Sequence, residues 1–379
     1  MRINDFALEV YFGKYEFSAP YLLAQSDCET MTIDALLDFE PGAKDSFLEM
    51  RLGYSEVAGD PELRSLIAAL YEEKTVDDVL THCGAQEAIF AFMNTHVSSG
   101  DHIIYMSPTY QSLYSIAASL GAEPSAWPLK NLDGVWKIDI AELESLIRPS
   151  TTMIVLNTPN NPTGFTFSEE EMRQISDIAA KHDLHIFADE VYKGLELEDD
   201  RRPWFSDLYG KAISLGVMSK AYGLAGLRIG WVVTKDHAVL DKMTRFKHYL
   251  SICNTTAGEY LAKIALKHGD SILQKNREII EGNVALANKF FERYAELFDN
   301  YPPVSGPIAF HRLRFGMSSD DFCEQLVKDA GVLLLPGSVF DVTEPYVRMG
   351  YGRKNFSDNL AELNAYLQKH PFSAKGGSA

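Results

Sequence analysis

The sequence predicts an α/β protein: a three-layer large domain on a mostly parallel sheet, with a smaller α+β domain beside it. Three observations carry this reading. Short apolar runs alternate with amphipathic helical stretches through the middle of the chain. Such alternation implies crossover connections and a sheet covered on both faces. Polar residues fall directly after those runs, where open α/β sheets bind ligands. From about Lys275 onward the pattern changes to a long amphipathic helix followed by short strands and further helices. At ~150 residues per domain, 379 residues suggest two domains. The expected division is 42–274 for the large domain and 1–41 with 275–371 for the small one, because chain termini often lie close together. A small polar tail over 372–379 is expected to be disordered.

Each element has its own justification in the sequence. "AQEAIFAFMNTHV", opened by Gly84 and Gln86 after "VLTHCG", places Ala88, Ile89, Phe92 and Met93 on one helical face. "DHIIYMSP" is a short apolar run ended by Pro108, and "YQSLYSIAASLG" is a helix stopped by Gly121. "TTMIVLN" reads as a buried strand ending at Asn157. "SEEEMRQISDIAAKHD" opens on a capping box from Ser168 to Glu171. "LHIFADE" and "AISLGVM" are the next strands, "VVT" follows Trp231, and a long helical stretch begins near Asp236. In the small domain "NREIIEGNVALANKFFERYAEL" is an amphipathic helix. Strands follow at "AFHRLRF" and "YVRMGY", and helices at "DDFCEQLVKDAG" and "FSDNLAELNAYLQKH".

Composition excludes several function classes. Asp plus Glu total 53 against 35 Lys plus Arg, a net charge of −18. Nucleic acids and anionic membranes require positive surface, so neither is an expected partner. No apolar run approaches the ~20 residues of a membrane helix, and "MRINDFALEVYF" lacks the apolar core of a signal peptide. Cys28, Cys83, Cys253 and Cys323 form no CxxC pair and no Cys/His cluster. They read as reduced structural cysteines of a cytoplasmic protein, with no metal site expected.

The polar residues at the strand ends each have a structural and a chemical reading. Lys220 is either a surface lysine or a partly desolvated amine nucleophile. Arg228, beyond Gly223 and Gly226, is either a salt-bridge arginine or a bidentate phosphate ligand. Asp189, closing "LHIFAD", is either a helix cap or a carboxylate that holds a proton on a heterocyclic nitrogen. Tyr192 either packs in the core or donates to a phenolate oxygen. "NTPNNPTG" is turn chemistry, except that Asn157 stands at the strand end with its amide free to meet a ligand. "HCGAQEAI" provides Gly84 and then N–H groups of Ala85 and Gln86 at a helix start, suited to phosphate. Tyr110 could stack on a flat ring. A ligand with a phosphate, an aromatic nitrogen, a phenolic oxygen and an aldehyde satisfies them all, and pyridoxal phosphate has each of these groups.

These residues resemble those of the class I/II aminotransferases of the aspartate aminotransferase superfamily, fold type I of the pyridoxal phosphate enzymes. The matching stretches are "YSEVAGDPELR", "THCGAQEAI", "SPTYQSL", "NTPNNPTG", "ADEVY", "SKAYGLAGLRIGW" and "YVRMGY", which span nearly the whole chain in the family's order. The resemblance implies that Lys220 is the Schiff-base lysine and proton shuttle. It implies that Asp189 pairs with the pyridinium nitrogen, and that Asn157 and Tyr192 bond the phenolate oxygen. Tyr110 would stack on the ring, Ala85, Gln86 and Arg228 would hold the phosphate, Ser219 would be a further cofactor contact, and Asn157 would also meet the substrate. Arg348 would clamp the substrate α-carboxylate. Tyr54 would reach the phosphate of a neighbouring subunit, which makes a homodimer the expected unit.

Two departures from the family pattern stand out. Val217 occupies a position where many relatives carry a hydroxyl that contacts the phosphate. The segment 22–37, "LLAQSDCETMTIDALL", lacks the usual glycine, and Ser26 and Asp27 stand where a small residue is usual. That could narrow the substrate pocket or favour a cationic substrate. The expected activity is amino transfer between an α-amino acid and a 2-oxo acid by a ping-pong mechanism. The alternative on the same fold is a lyase or cyclase of the β/γ-elimination type. A non-catalytic ligand-sensing domain is opposed by the charge and by the absence of a helix-turn-helix extension before Asp5.

Overall fold

A computed structural model describes residues 3–198 and 201–372. A seven-stranded sheet forms its centre. In chain order its strands are β1 (Val79–His82), β2 (His102–Ser107), β3 (Glu123–Pro128), β4 (Thr151–Asn157), β5 (His185–Asp189), β6 (Ala212–Val217) and β7 (Gly230–Val233). Their spatial order is β1-β7-β6-β5-β4-β2-β3. All neighbours are parallel except β7, which runs antiparallel to both β1 and β6. The mostly parallel α/β expectation therefore holds. Strands covered on both faces must be apolar along their length, and β6, "AISLGV", is buried at every residue.

The helices over these faces follow their local signals. Ser168 caps the helix Glu169–Lys181, accepting from the N–H of Glu171 at 3.2 Å, while Glu171 accepts from the N–H of Ser168 at 2.7 Å. The helix Ala85–His96 buries Ala88, Ile89, Phe92 and Met93, the face read from the sequence.

Three features differ from expectation. β3 was not foreseen, because "EPSAWP" carries two prolines; it lies at the sheet edge, where missing donors are tolerated. The stretch after Asp236 is two helices, His237–Lys247 and Thr256–Lys267, and the amphipathic helix expected after them, Gly269–Arg293, begins earlier than read. Between the first two the chain turns through Ile252, whose φ is 66°. A helix over Ala7–Tyr15 also forms in the N-terminal stretch, which carries no strong periodic signal.

A second, antiparallel sheet comprises β8 (Phe298–Asp299), β9 (Ile308–Leu313), β10 (Leu335–Pro336) and β11 (Tyr346–Gly350), in the order β8-β9-β11-β10. The N-terminal segment joins this part of the chain, since Tyr21–Leu22 pair in parallel with Val332–Leu333. Of the tail, Phe372 packs on Phe315 with ring centroids 4.6 Å apart. Residues 373–379 lie outside the described residues.

Candidate active site

The parallel strands place their carboxyl ends along one edge of the sheet. Asn157 ends β4, Asp189 ends β5 and Val217 ends β6, with Lys220 three residues beyond. β7 starts at the same edge with Gly230, whose partner in register is Val217. A cleft of about 300 Å³ opens there. Apart from Gly84 and Tyr54, every predicted site residue lines it, together with Val217.

Lys220 is half-buried, and its Nζ donates to Ser26 Oγ at 3.0 Å. Its carbonyl accepts from the N–H of Cys28 at 3.3 Å, which fastens the segment 22–37 over the lysine. Asp189 is 4% exposed, and among the described residues its carboxylate accepts only from the N–H of Val191, at 3.3 Å. This bond is not a helix cap. Burial pushes the Asp189 carboxyl up to about 7, against the smaller opposing pull of Val191 N–H and Lys220. The unfolded chain ionises near pH 4 while the cofactor-free fold keeps its proton to about pH 7. The folded state therefore binds more protons, and stability falls as pH rises through that window. A shift of this size corresponds to the order of 4 kcal/mol. Cofactor-free Asp189→Asn should therefore exceed the cofactor-free parent in urea midpoint at pH 8. The gap should close towards pH 4, and equal midpoints at pH 8 would contradict this account.

Asn157 corrects a reading made from its position. Its side-chain amide donates to the Asp189 carbonyl at 3.2 Å and accepts from the N–H of Asn161 at 2.7 Å. Both groups bond backbone, one amide N–H being left over, so Asn157 braces the loop while lining the cleft. Asn161 has the cleft-facing role the sequence reading missed: it lines the cleft, and its Oδ1 accepts from Arg348 Nη1 at 2.9 Å. It sits in the same "NTPNNPTG" loop, and only the fold separates its task from that of Asn157.

Arg348 lies on β11, between β9 and β10, and is fully buried. Its Nη2 donates to the Ala24 carbonyl at 2.6 Å, while Nε has no partner among the described residues. Burial pushes the guanidinium down to about 10, so it stays charged at neutral pH. Asp27, by contrast, is occupied: Arg353 Nη2 donates to both its oxygens, at 2.9 and 2.8 Å.

The opposite end of the cleft carries the helix start Ala85–His96. Its N-cap is Gly84, with no side-chain cap, so the first N–H groups are free for an anion. Arg228 is exposed, takes a left-handed φ of 54°, and has no carboxylate partner among the described residues, which removes the salt-bridge reading. Gly84 has φ 87° and ψ 167°, a region essentially reserved for glycine. A Cβ there would stand 2.4 Å from Arg228 Nη2. Gly84→Ala should cost about 1–3 kcal/mol in backbone strain and displace the guanidinium. Its check is cofactor affinity by equilibrium dialysis, which should fall well below that of the parent.

A cleft that holds a half-buried lysine, a buried carboxylate and an uncapped helix start at a parallel sheet edge narrows the comparison. The model of the family "Aminotransferase class I and II" matches residues 22–362. The chain belongs to that family. A PLP-dependent aminotransferase from Streptococcus suis 89-1591 has a solved structure that superposes with a TM-score of 0.91 at 31% identity, covering 97% of this chain and 99% of that one. Among curated relatives, aromatic-amino-acid aminotransferase 2 of Thermococcus litoralis is 28% identical, over 79% of each chain. Capreomycidine synthase of Streptomyces vinaceus is 27% identical, over 84% of this chain and 82% of its own. This aminotransferase-family protein is thus a pyridoxal phosphate-dependent enzyme, and its residues fit the cofactor. The Asp189 carboxylate has no ion pair among the described residues, Gly84 leaves room for an anion beside Arg228, and Lys220 would supply the amine.

Tyr54 stands apart. It is 90% exposed and does not line this chain's cleft. Leu52 and Tyr249 are similarly exposed, at 85% and 88%, on segments joined by a bond from Ser55 Oγ to the Asn254 carbonyl.

Proposed function

We propose that this enzyme moves an amino group between an α-amino acid and a 2-oxo acid by a ping-pong mechanism. The observation that carries this reading is the convergence of Lys220, Asp189 and Arg348 on one cleft whose far end is an anion cradle. Pyridoxal phosphate, when bound, supplies the electron sink that makes the substrate α-proton acidic and takes up the amino group.

The chain's own residues do the rest. Lys220 Nζ would hold the cofactor covalently and would move the proton at the substrate Cα; Ser26 Oγ keeps it within the cleft. Asp189 remains charged against the cofactor's ring nitrogen, where a cation removes the cost of its burial. Tyr192 donates to the ring oxygen, and the amide of Asn161 takes the part expected of Asn157. Tyr110 covers the ring. Ala85 and Gln86 N–H groups, Ser219 and Arg228 bind the phosphate; Val217, which is apolar, contributes no hydroxyl. Arg348, oriented by Asn161, grips the α-carboxylate.

The exposed Leu52, Tyr54 and Tyr249 support a homodimer in which Tyr54 reaches the neighbouring phosphate. Tyr54→Phe should weaken cofactor binding while light scattering still reports a dimer. The four cysteines are free, in keeping with a cytoplasmic enzyme, and no helix among the described residues is long and apolar enough to cross a membrane.

The similarity to a synthase supports a second reading, a lyase or cyclase using the same cofactor site. A spectral screen separates them. Each amino acid is added to the holoenzyme without an oxo acid. Conversion to the pyridoxamine form supports transamination, whereas release of ammonia and an oxo acid without that conversion rejects it in favour of elimination.

A further inference from the structure

The cleft contains more negative charge than the cofactor and an α-carboxylate can use. Its cations are Lys220, Arg228, Arg348 and Arg353, and its anions are Glu9, Glu16, Asp27 and Asp189. Arg353 and Asp27 neutralise one another through the two bonds described above. On the proposed function Lys220, Arg228, Arg348 and Asp189 are all engaged by the cofactor and the substrate carboxylate. Glu9 and Glu16 remain, and neither forms an ion pair among the described residues.

Both belong to the N-terminal helical segment, the helix Ala7–Tyr15 and its C-cap Glu16. Seven residues apart, they fall on one helical face with Phe12, and that face lines the cleft. The segment is fixed in place. The N–H of Ala7 donates to Gln111 Oε1 at 2.9 Å, and Gln111 Nε2 donates to the Asp5 carbonyl at 2.9 Å. Tyr110 Oη donates to Glu9 Oε1 at 3.1 Å, and Gln25 Nε2 donates to Glu16 Oε1 at 3.2 Å. Each carboxylate thus keeps one oxygen without a bond from this chain. Glu9 is exposed and Glu16 half-buried. Burial, and then repulsion from Glu9 and Asp27, push the Glu16 carboxyl up, against the smaller opposing pull of Lys220 and Arg353. Arg348 in the same cleft, fully buried and with Nε unpartnered among the described residues, provides for the α-carboxylate on the proposed function and leaves Glu9 and Glu16 to the side chain.

We propose that the amino donor is an α-amino acid with a positively charged side chain, amine or guanidinium, received by Glu9 and Glu16. This rests on the aminotransferase reading above and names its substrate class. It also relocates the source of a cationic preference: Asp27 is held by Arg353, and the unspent charge lies on a helix.

The test uses purified holoenzyme without an oxo acid. L-arginine, L-ornithine and uncharged L-norleucine are titrated, with binding heats and the cofactor's spectral change recorded together. Half-saturation by a cationic amino acid should come at a concentration about tenfold or more below that of norleucine. Tighter arginine identifies a guanidinium, and tighter ornithine an amine. Glu16→Gln should reduce the cation-to-norleucine ratio about tenfold and the more exposed Glu9→Gln about threefold. Norleucine or glutamate binding as tightly as the cations overturns the specificity, as does a ratio unmoved in the double variant Glu9→Gln/Glu16→Gln. Conversion by norleucine without cation preference leaves the aminotransferase reading standing alone. Cation-selective binding heats without conversion by any amino acid leave the specificity standing and remove the transaminase reading.

Discussion

Lys220→Ala is expected to abolish the visible absorbance of the enzyme-bound cofactor and to lower turnover by on the order of 10⁴-fold or more, since on the proposed function it removes both the covalent tether and the proton-transfer group. The fold should survive. Lys220 has no ion pair among the described residues, and its side-chain bond is the one to Ser26 Oγ. Its backbone bonds, from Cys28 N–H and Gly223 N–H to its carbonyl, do not depend on the side chain. Absorbance after dialysis, turnover and far-UV circular dichroism separate these effects. Full turnover in a correctly folded variant would sink the assignment of Lys220.

Arg348→Ala is expected to raise KM for the amino acid about 10²-fold while the cofactor's absorbance persists. Losing one partner of a buried, hydrogen-bonded charge pair costs about 2–5 kcal/mol, and tenfold corresponds to 1.4 kcal/mol. Part of that cost is local. Nη1 orients Asn161 and Nη2 satisfies the Ala24 carbonyl, so alanine also leaves two acceptors unfilled. Arg348→Lys keeps a charge but cannot make the same planar set of bonds, and should fall between the two. An unchanged KM would mean that another group holds the carboxylate; Arg353, already committed to Asp27, is poorly placed to do so.

Much of the cofactor end was legible because it is local. Asp189 and Lys220 follow apolar runs whose strand character is plain, and parallel sheets bring such ends to one edge. Gly84 and the helix start after it were readable as an anion cradle for the same reason. The substrate end was less so. "NTPNNPTG" contains three asparagines in one turn, and composition does not say which amide faces the cleft. Both Asn157 and Asn161 line the cleft, and the bonds separate their tasks, tying Asn157 to backbone and setting Asn161 against Arg348. Asp27 looked available until the fold brought Arg353 to it across 326 residues.

By itself, the sequence determined the α/β architecture, the order of the central elements and which polar residues stand at the strand ends. Hydrophobic period, capping and turn residues act over a few neighbouring positions. Only the tertiary structure decided which charges remain unpaired. Pairing depends on contacts between segments distant along the chain, and no local pattern encodes whether Glu9 and Glu16 will meet a cation or face an open cleft. The N-terminal helix shows the limit most clearly, since its composition is ordinary and its position over the cleft follows from what Gln111 and Tyr110 hold in place.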